Sequence, residues 1–217
     1  MIMSRKKKFK RVLLCALLIS LPFFQSLKGN TNDVNNDNDK KVAMCITNND
    51  TMKLDTAVFG QVISYKDSIK NELINEVEQY VFKYFPRTHK DVPTLIVENG
   101  LEHDIDILFI MAQTQQETGY GTLGAGRESS RRSLFGVAVR KYTNYENAVV
   151  DYIRILKKSY LTNGRTEQHL MKRYVTSRGG RYAGDPNYEA TLRKTYNTIS
   201  KQTKIKELQN TYKIIES

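Results

Sequence analysis

The chain has 217 residues, of which 40% are hydrophobic and 10% aromatic, and it carries a formal charge of +11 with two cysteines and no tryptophan. That length suits one domain with an extension or two, and the hydrophobic share is enough for a packed core. Two cysteines exclude a disulfide framework, and His89, His103 and His169 are scattered without metal-ligand spacing, so neither a metal nor another cofactor is expected.

The N-terminus reads as a targeting segment. Arg5, Lys6, Lys7, Lys8, Lys10 and Arg11 precede the apolar run VLLCALLISLPFF. A charged region followed by about 7–15 apolar residues is a secretory signal, and the run falls short of the roughly 20 needed to span a bilayer. QSLKG after it lacks an A-x-A cleavage pattern, so an uncleaved membrane anchor stays open beside cleavage. The expected organisation is a signal peptide or anchor at 1–26, an Asn/Asp-rich linker at 27–60 and one domain at 61–217. Cys15 lies inside the apolar run. Cys45 stands beside TNNDT in the linker, where a structural or incidental role outweighs a nucleophilic one.

Helical patterns begin at Asp67, placed to cap a segment with Ile69, Leu73, Val77, Val81 and Phe85 at four-residue intervals and Pro86 as its stop. DVPTLIVENG follows, with Asp91 as cap, Pro93 in the first turn and Gly100 as stop. Asp104 is the expected N-cap of IDILFIMAQTQQET, which is apolar nearly all round and therefore belongs at the centre of a domain. Residues 118 to 143 are rich in glycine, and SLFGVAVRKYT is their only strand-like piece. Asn144 can cap YENAVVDYIRILKKSYL, Thr166 opens TEQHLMKRYVTS up to Gly179 and Gly180, and Asp185-Pro186 starts a last helix that runs on or breaks near Lys201. The fold expected from this order is mainly α, with a small irregular or β lobe after the central helix.

Glu117 falls at the C-terminal end of that central helix, one residue short of Gly119-Tyr120-Gly121. Partial burial and the negative end of the helix dipole both disfavour a carboxylate there, so its pKa should rise. A carboxylic acid protonated near neutral pH is what general-acid cleavage of a glycosidic bond requires, and glycines beside it would let a bulky polymer approach. A glutamate near a helix end is common, and position alone does not make it catalytic.

AQTQQETGYGT, then SLFGV, then a capped helix, then GGRYAGDPNY together resemble the glucosaminidase family of peptidoglycan hydrolases, found in autolysins, flagellar rod-cap enzymes and phage lysins. The resemblance covers roughly residues 70 to 200 and implies an α+β lysozyme-like fold with peptidoglycan glycan strands as substrate. It implies Glu117 as the catalytic acid and Tyr182, the tyrosine of the Y-A-x-D-P motif, as a group facing the cleft beside it. Tyr120 matches the aromatic between the glycines, where it either stacks on a sugar or forms a wall of the core. With it, Phe135, Gly119 and Gly121 form the expected substrate-side surface, although Leu134, Phe135 and Gly136 read first as packing against the catalytic helix. Ser133 replaces the family's usual Asn, which puts a hydrogen bond from that amide in doubt. Asp185 reads as a helix cap.

Only VAVRKYT separates Gly136 from Asn144, so the family's β-hairpin, which brings a second carboxylate, is reduced to almost nothing. Glycosidases usually pair carboxylates about 5–5.5 Å apart for retention or about 6.5–9.5 Å for inversion. Glu128 in the glycine-rich loop is the better candidate partner, ahead of Glu146. Without one, the substrate's 2-acetamido group or a C6 hydroxyl would attack.

The leading expectation is an exported endo-β-N-acetylglucosaminidase. Alternatives are a muramidase or lytic transglycosylase on the same fold, or a peptidoglycan-binding protein without catalysis. Residues 131 to 217 hold 18 basic and 7 acidic side chains, which favours an anionic cell-wall or membrane surface as a further partner. Nucleic acid is not expected, because no basic-aromatic motif accompanies the charge and export points away from it. A monomer is expected.

Overall fold

A computed structural model describes residues 48–127, 132–136 and 141–216, with the backbone alone for 48–59 and Ala125. The expected N-terminal targeting segment, Cys45, Glu128 and residues 137–140, where the reduced hairpin is expected, lie outside the described residues. The chain divides into Met1–Leu54 and Asp55–Ser217. Of the first unit only the helical backbone of Asn48–Leu54 is described.

Helix α1 covers Asn48–Tyr84, so the expected cap Asp67 is an interior residue and part of the expected linker is helical. Between Asn48 and Asp67 only Gly60 opposes a helix, at about 1 kcal/mol, and that does not stop one. Ile69, Leu73, Val77 and Val81 are buried along one face as their spacing requires, and the helix ends before Pro86. Helix α2, Val92–Glu102, carries Pro93 in its first turn but passes through Gly100 instead of stopping there. A Cβ on Gly100 would lie 2.7 Å from Ile107 Cγ1, so this glycine serves the crossing of the next helix.

Helix α3, Ile107–Thr118, is the centre of the domain. Every residue from Ile107 through Thr114 is 0% exposed, and α3 packs most extensively on α7, then on α2 and α8. Each fully buried Leu, Ile, Phe or Met contributes about 1.5–3 kcal/mol, so α3 is the main source of the domain's stability. Its N-cap is Asp106, which accepts from the Leu108 N–H at 2.9 Å, and not Asp104. Asp104 is left-handed (φ 52°) and turned out to Lys213 at 2.6 Å. Gln209 of α8 completes the end from inside, accepting from the Ile107 N–H at 3.0 Å and donating to the Ile105 carbonyl at 2.8 Å.

At its other end Gly119 (φ 54°) and Tyr120 (φ 56°) turn the chain out through two left-handed residues. The short helix α4, Gly124–Arg127, follows. Helix α5, Tyr145–Ile155, is capped by Asn144, which accepts from the Asn147 N–H at 2.8 Å. It continues into a π turn, Leu156–Tyr160. Helix α6 is only Glu167–Lys172, shorter than the pattern predicts. Val175 and Thr176 are β-branched, and the chain instead doubles back through Gly179 into an antiparallel bridge between Val175 and Arg181.

Helix α7, Tyr188–Gln202, starts just after Asp185, whose carboxylate accepts from the Asn187 N–H at 2.8 Å. Thr203 is extended and breaks the chain before α8, Ile205–Glu216. The architecture is mainly helical, as a lysozyme-like domain requires, and the described residues contain that one isolated bridge and no strand.

Candidate active site

Glu117 occupies the last turn of α3, one helical turn beyond the fully buried Gln113. The Tyr188 hydroxyl of α7 donates to its Oε1 at 2.5 Å. The Tyr182 hydroxyl donates at 3.0 Å to the Phe135 carbonyl and lies close enough to Glu117 to favour its charged form. Burial raises the pKa of Glu117 above the ordinary carboxylate range, while the two phenols, which favour the charged form, oppose that rise. The phenols are pushed far above their ordinary range, Tyr182 by burial and then Glu117, Tyr188 by burial and then Tyr182 and Glu117. Both therefore stay protonated donors. Among the hydrogen bonds of the described residues, the Glu117 carboxyl group receives one from a side chain, that of Tyr188.

Gly136 closes over the other oxygen. A Cβ there would fall 2.0 Å from Glu117 Oε2, and its φ of 61° disfavours a side chain independently. The SLFG segment is tied down beside it. Thr118 Oγ1 donates to the Leu134 carbonyl at 2.8 Å and accepts from the Gly121 N–H at 3.0 Å. Ser133 is buried and its Oγ has no described partner, as the loss of the family's Asn amide suggests.

Behind the carboxylate lies a cluster of tyrosines. Tyr174 and Tyr182 stack at 4.3 Å and 9°, Tyr160 meets both edge-on, and Tyr188 is tilted against Tyr182 at 5.2 Å. Gln113 organises them. Its Oε1 accepts from Tyr152 at 2.5 Å and from Tyr174 at 3.0 Å. Glu189 holds the same wall from α7. Burial opposes its ionisation, but bonds from the Tyr174 and Glu189 N–H groups and from Arg181 outweigh that and leave its pKa below the ordinary range.

The expected substrate-side surface is partly corrected. Tyr120 is 0% exposed and packs against Phe85 at 5.0 Å, so its ring has no open face for a sugar and forms the core wall. Phe135 is 1% exposed and stacked on Tyr152 at 3.7 Å, so the packing role holds and the substrate role does not. Gly119 is buried in the turn, and Gly121 is half-buried with Leu134 and Tyr145 around its Cα. Both are left-handed, with φ of 54° and 82°, and serve the turn. Glu146 is exposed on the first turn of α5 and has no described bond to Glu117.

Sequence reasoning passed over three residues at this site. Tyr188 is the second tyrosine of RYAGDPNY, read only as part of a helix start. Gln113 was visible as a polar residue inside an apolar run, four before Glu117. Gly136 was read as packing, and its closeness to the carboxylate had no local signal.

The profile of the Glucosaminidase family, described as mannosyl-glycoprotein endo-beta-N-acetylglucosaminidase, matches residues 94–201. No curated protein matches the chain. The matched span runs from α2 to the end of α7 and so includes Glu117, Gly136, Tyr182 and Tyr188. The chain belongs to the glucosaminidase family of peptidoglycan hydrolases.

Proposed function

We propose that the chain is an endo-β-N-acetylglucosaminidase that cuts the glycan strand of peptidoglycan with Glu117 as general acid. The observation that carries this reading is a half-buried carboxyl group with a raised pKa, held by Tyr188 at 2.5 Å at the end of the central helix. Protonated Glu117 gives its proton to the leaving glycosidic oxygen. The carboxylate left behind is stabilised by the Tyr188 hydroxyl, which remains a donor throughout. Tyr182 lies beside the oxocarbenium-like charge that develops on the sugar.

Attack comes from water activated by Glu128 or from Glu128 itself, or else from the substrate's own 2-acetamido group or C6 hydroxyl. The phenolic surroundings of Glu117 suit the last two routes, which need no second carboxylate. The C6 route is that of a lytic transglycosylase, which together with a muramidase forms the alternative reading on this fold.

Membership in a family of cell-wall hydrolases suggests export. No helix among the described residues is long and apolar enough to cross a membrane. We read residues 1–26 as the export signal or tether and the enzyme as a monomer. Zymography on cell walls with wild type and Glu117→Gln tests the acid: clearing by both sinks it, and clearing by neither favours a binding protein. Mass spectrometry of the muropeptides identifies the bond cut, since reduced N-acetylglucosamine, reduced N-acetylmuramic acid and anhydro ends are distinct.

A further inference from the structure

The segment between α5 and α7 carries charge that the proposed chemistry does not use. Residues 156 to 184 contain seven Lys and Arg residues and a single acid, Glu167. Glu167 is half-buried and accepts from the Asp106 N–H at 3.3 Å, so it is turned toward α3. Arg181 is held by Glu189 at 2.9 Å, and Arg165 donates to the Val175 carbonyl at 2.9 Å. Lys157, Lys158, Lys172, Arg173 and Arg178 remain exposed, and none forms an ion pair with a described carboxylate.

The fold sets three of these on adjoining turns, and the other two follow on the same segment. The Ser177 N–H donates to the Ser159 carbonyl at 3.0 Å, which sets the turn bearing Arg178 against the π turn bearing Lys157 and Lys158. The Arg173 N–H bonds the His169 carbonyl at 3.0 Å, keeping Lys172 and Arg173 at the end of α6 on the same run. The segment then enters the active site. Tyr160, the last residue of the π turn, meets Tyr174 at 5.0 Å and Tyr182 at 5.8 Å, and Tyr182 contacts Glu117. The segment that carries these cations thus also supplies Tyr160, Tyr174 and Tyr182 of the tyrosine cluster.

We propose that the rim formed by Lys157, Lys158, Lys172, Arg173 and Arg178 binds carboxylate groups carried by the peptide-substituted glycan strand, so that the enzyme selects acidic over neutral glycan. The inference rests on the reading that the glycan lies in the Glu117 cleft. Charge complementarity carries it: unpaired cations beside a cleft raise the local concentration of an anionic substrate. A lipid surface fits less well, because a membrane-docking face adds apolar anchors to its cations. Among the described residues the exposed large apolar side chains are Ile63, Tyr65, Tyr84, Leu123, Val150 and Ile214, and none belongs to this segment.

The test is co-sedimentation of the full chain with purified peptidoglycan stripped of phosphate-bearing polymers. Wild type should bind at low salt and release at high salt. The triple variant Lys157→Glu, Lys158→Glu, Arg178→Glu should bind about five- to tenfold more weakly at low salt, and amidating the wall carboxylates should bring wild type down to the same level. All three positions are exposed, so the variant should keep the wild-type unfolding temperature and its hydrolysis of a neutral N-acetylglucosamine oligomer. Equal binding of variant and wild type at low salt overturns the proposal. So does binding that disappears with the phosphate-bearing polymers, or that follows anionic phospholipid vesicles instead of stripped walls. Glu117→Gln separates the two readings: if it still hydrolyses, the acid is wrong, while salt-sensitive wall binding by the same variant supports the rim.

Discussion

The two ends of α3 are built from the same central helix and answer different demands. At the N-terminal end every exposed backbone group is met: Asp106 caps from outside and Gln209 bonds both Ile107 and Ile105 from within. At the C-terminal end the chain leaves through left-handed Gly119 and Tyr120, and a carboxyl group is kept half-buried against two phenols and a glycine. The first end lowers the energy of the fold. The second raises the energy of an ionised group, which keeps it protonated to higher pH and so available as a general acid, and the buried helix between them supplies the rigidity.

Substitutions at the two ends should therefore separate activity from stability. Glu117→Gln should lower kcat on cell walls about 10²–10⁴-fold, the usual contribution of a general acid, without unfolding the protein. Its stability should move in the opposite direction. The folded pKa of Glu117 lies above its unfolded value, so ionisation disfavours the folded state, and this cost is fully present once the pH exceeds the folded pKa. Glu117→Gln should thus be more stable than wild type at neutral pH. The gap should close as the pH falls through the folded pKa, and thermal unfolding across that range checks it.

Gly136→Ala should come next. The added Cβ meets Glu117 Oε2 and the φ is left-handed, so a stability loss of about 1–3 kcal/mol should accompany displacement of the acid and a fall in kcat of about tenfold or more. Gln209→Leu should break the quieter end, leaving the buried Ile105 carbonyl and Ile107 N–H without partners at about 1–3 kcal/mol. Denaturant unfolding should register that loss while kcat per folded molecule stays at the wild-type value. A large drop in kcat there would erase the distinction between the two ends.

Tyr188→Phe should have the smallest effect and the most informative one. Its hydroxyl favours the ionised form of Glu117, so removing it should raise that pKa further. The basic limb of the kcat/KM profile, where the acid loses its proton, should move to higher pH. A limb that stays in place would assign that titration to another group.

Much of this was legible in the chain. The 0%-exposed run from Ile107 to Thr114 was visible as an apolar stretch too continuous for a surface helix, and the Asn144 cap was read from local chemistry. Asp185, expected as a cap, instead bonds the N–H of Asn187, the actual N-cap residue. Local rules failed where two residues compete for one role. Asp104 and Asp106 are both good caps, and the choice was made by Lys213 holding the first outward while the second bonds Leu108. Likewise α6 ends early because Val175 pairs with Arg181 across a turn, a contact helix periodicity does not contain.

What the sequence by itself determined is the family, the central helix and the position of Glu117 at its end, since each depends on residues close together along the chain. The tertiary structure alone decided what surrounds that carboxyl group. Tyr188 reaches it across 71 residues, Gly136 arrives on a segment with no regular structure, and Tyr120 and Phe135 turn inward to the core. The reason is physical: helical periodicity and capping are written over a few neighbouring residues, whereas burial and the bonds that set a carboxyl pKa arise only when distant elements pack together.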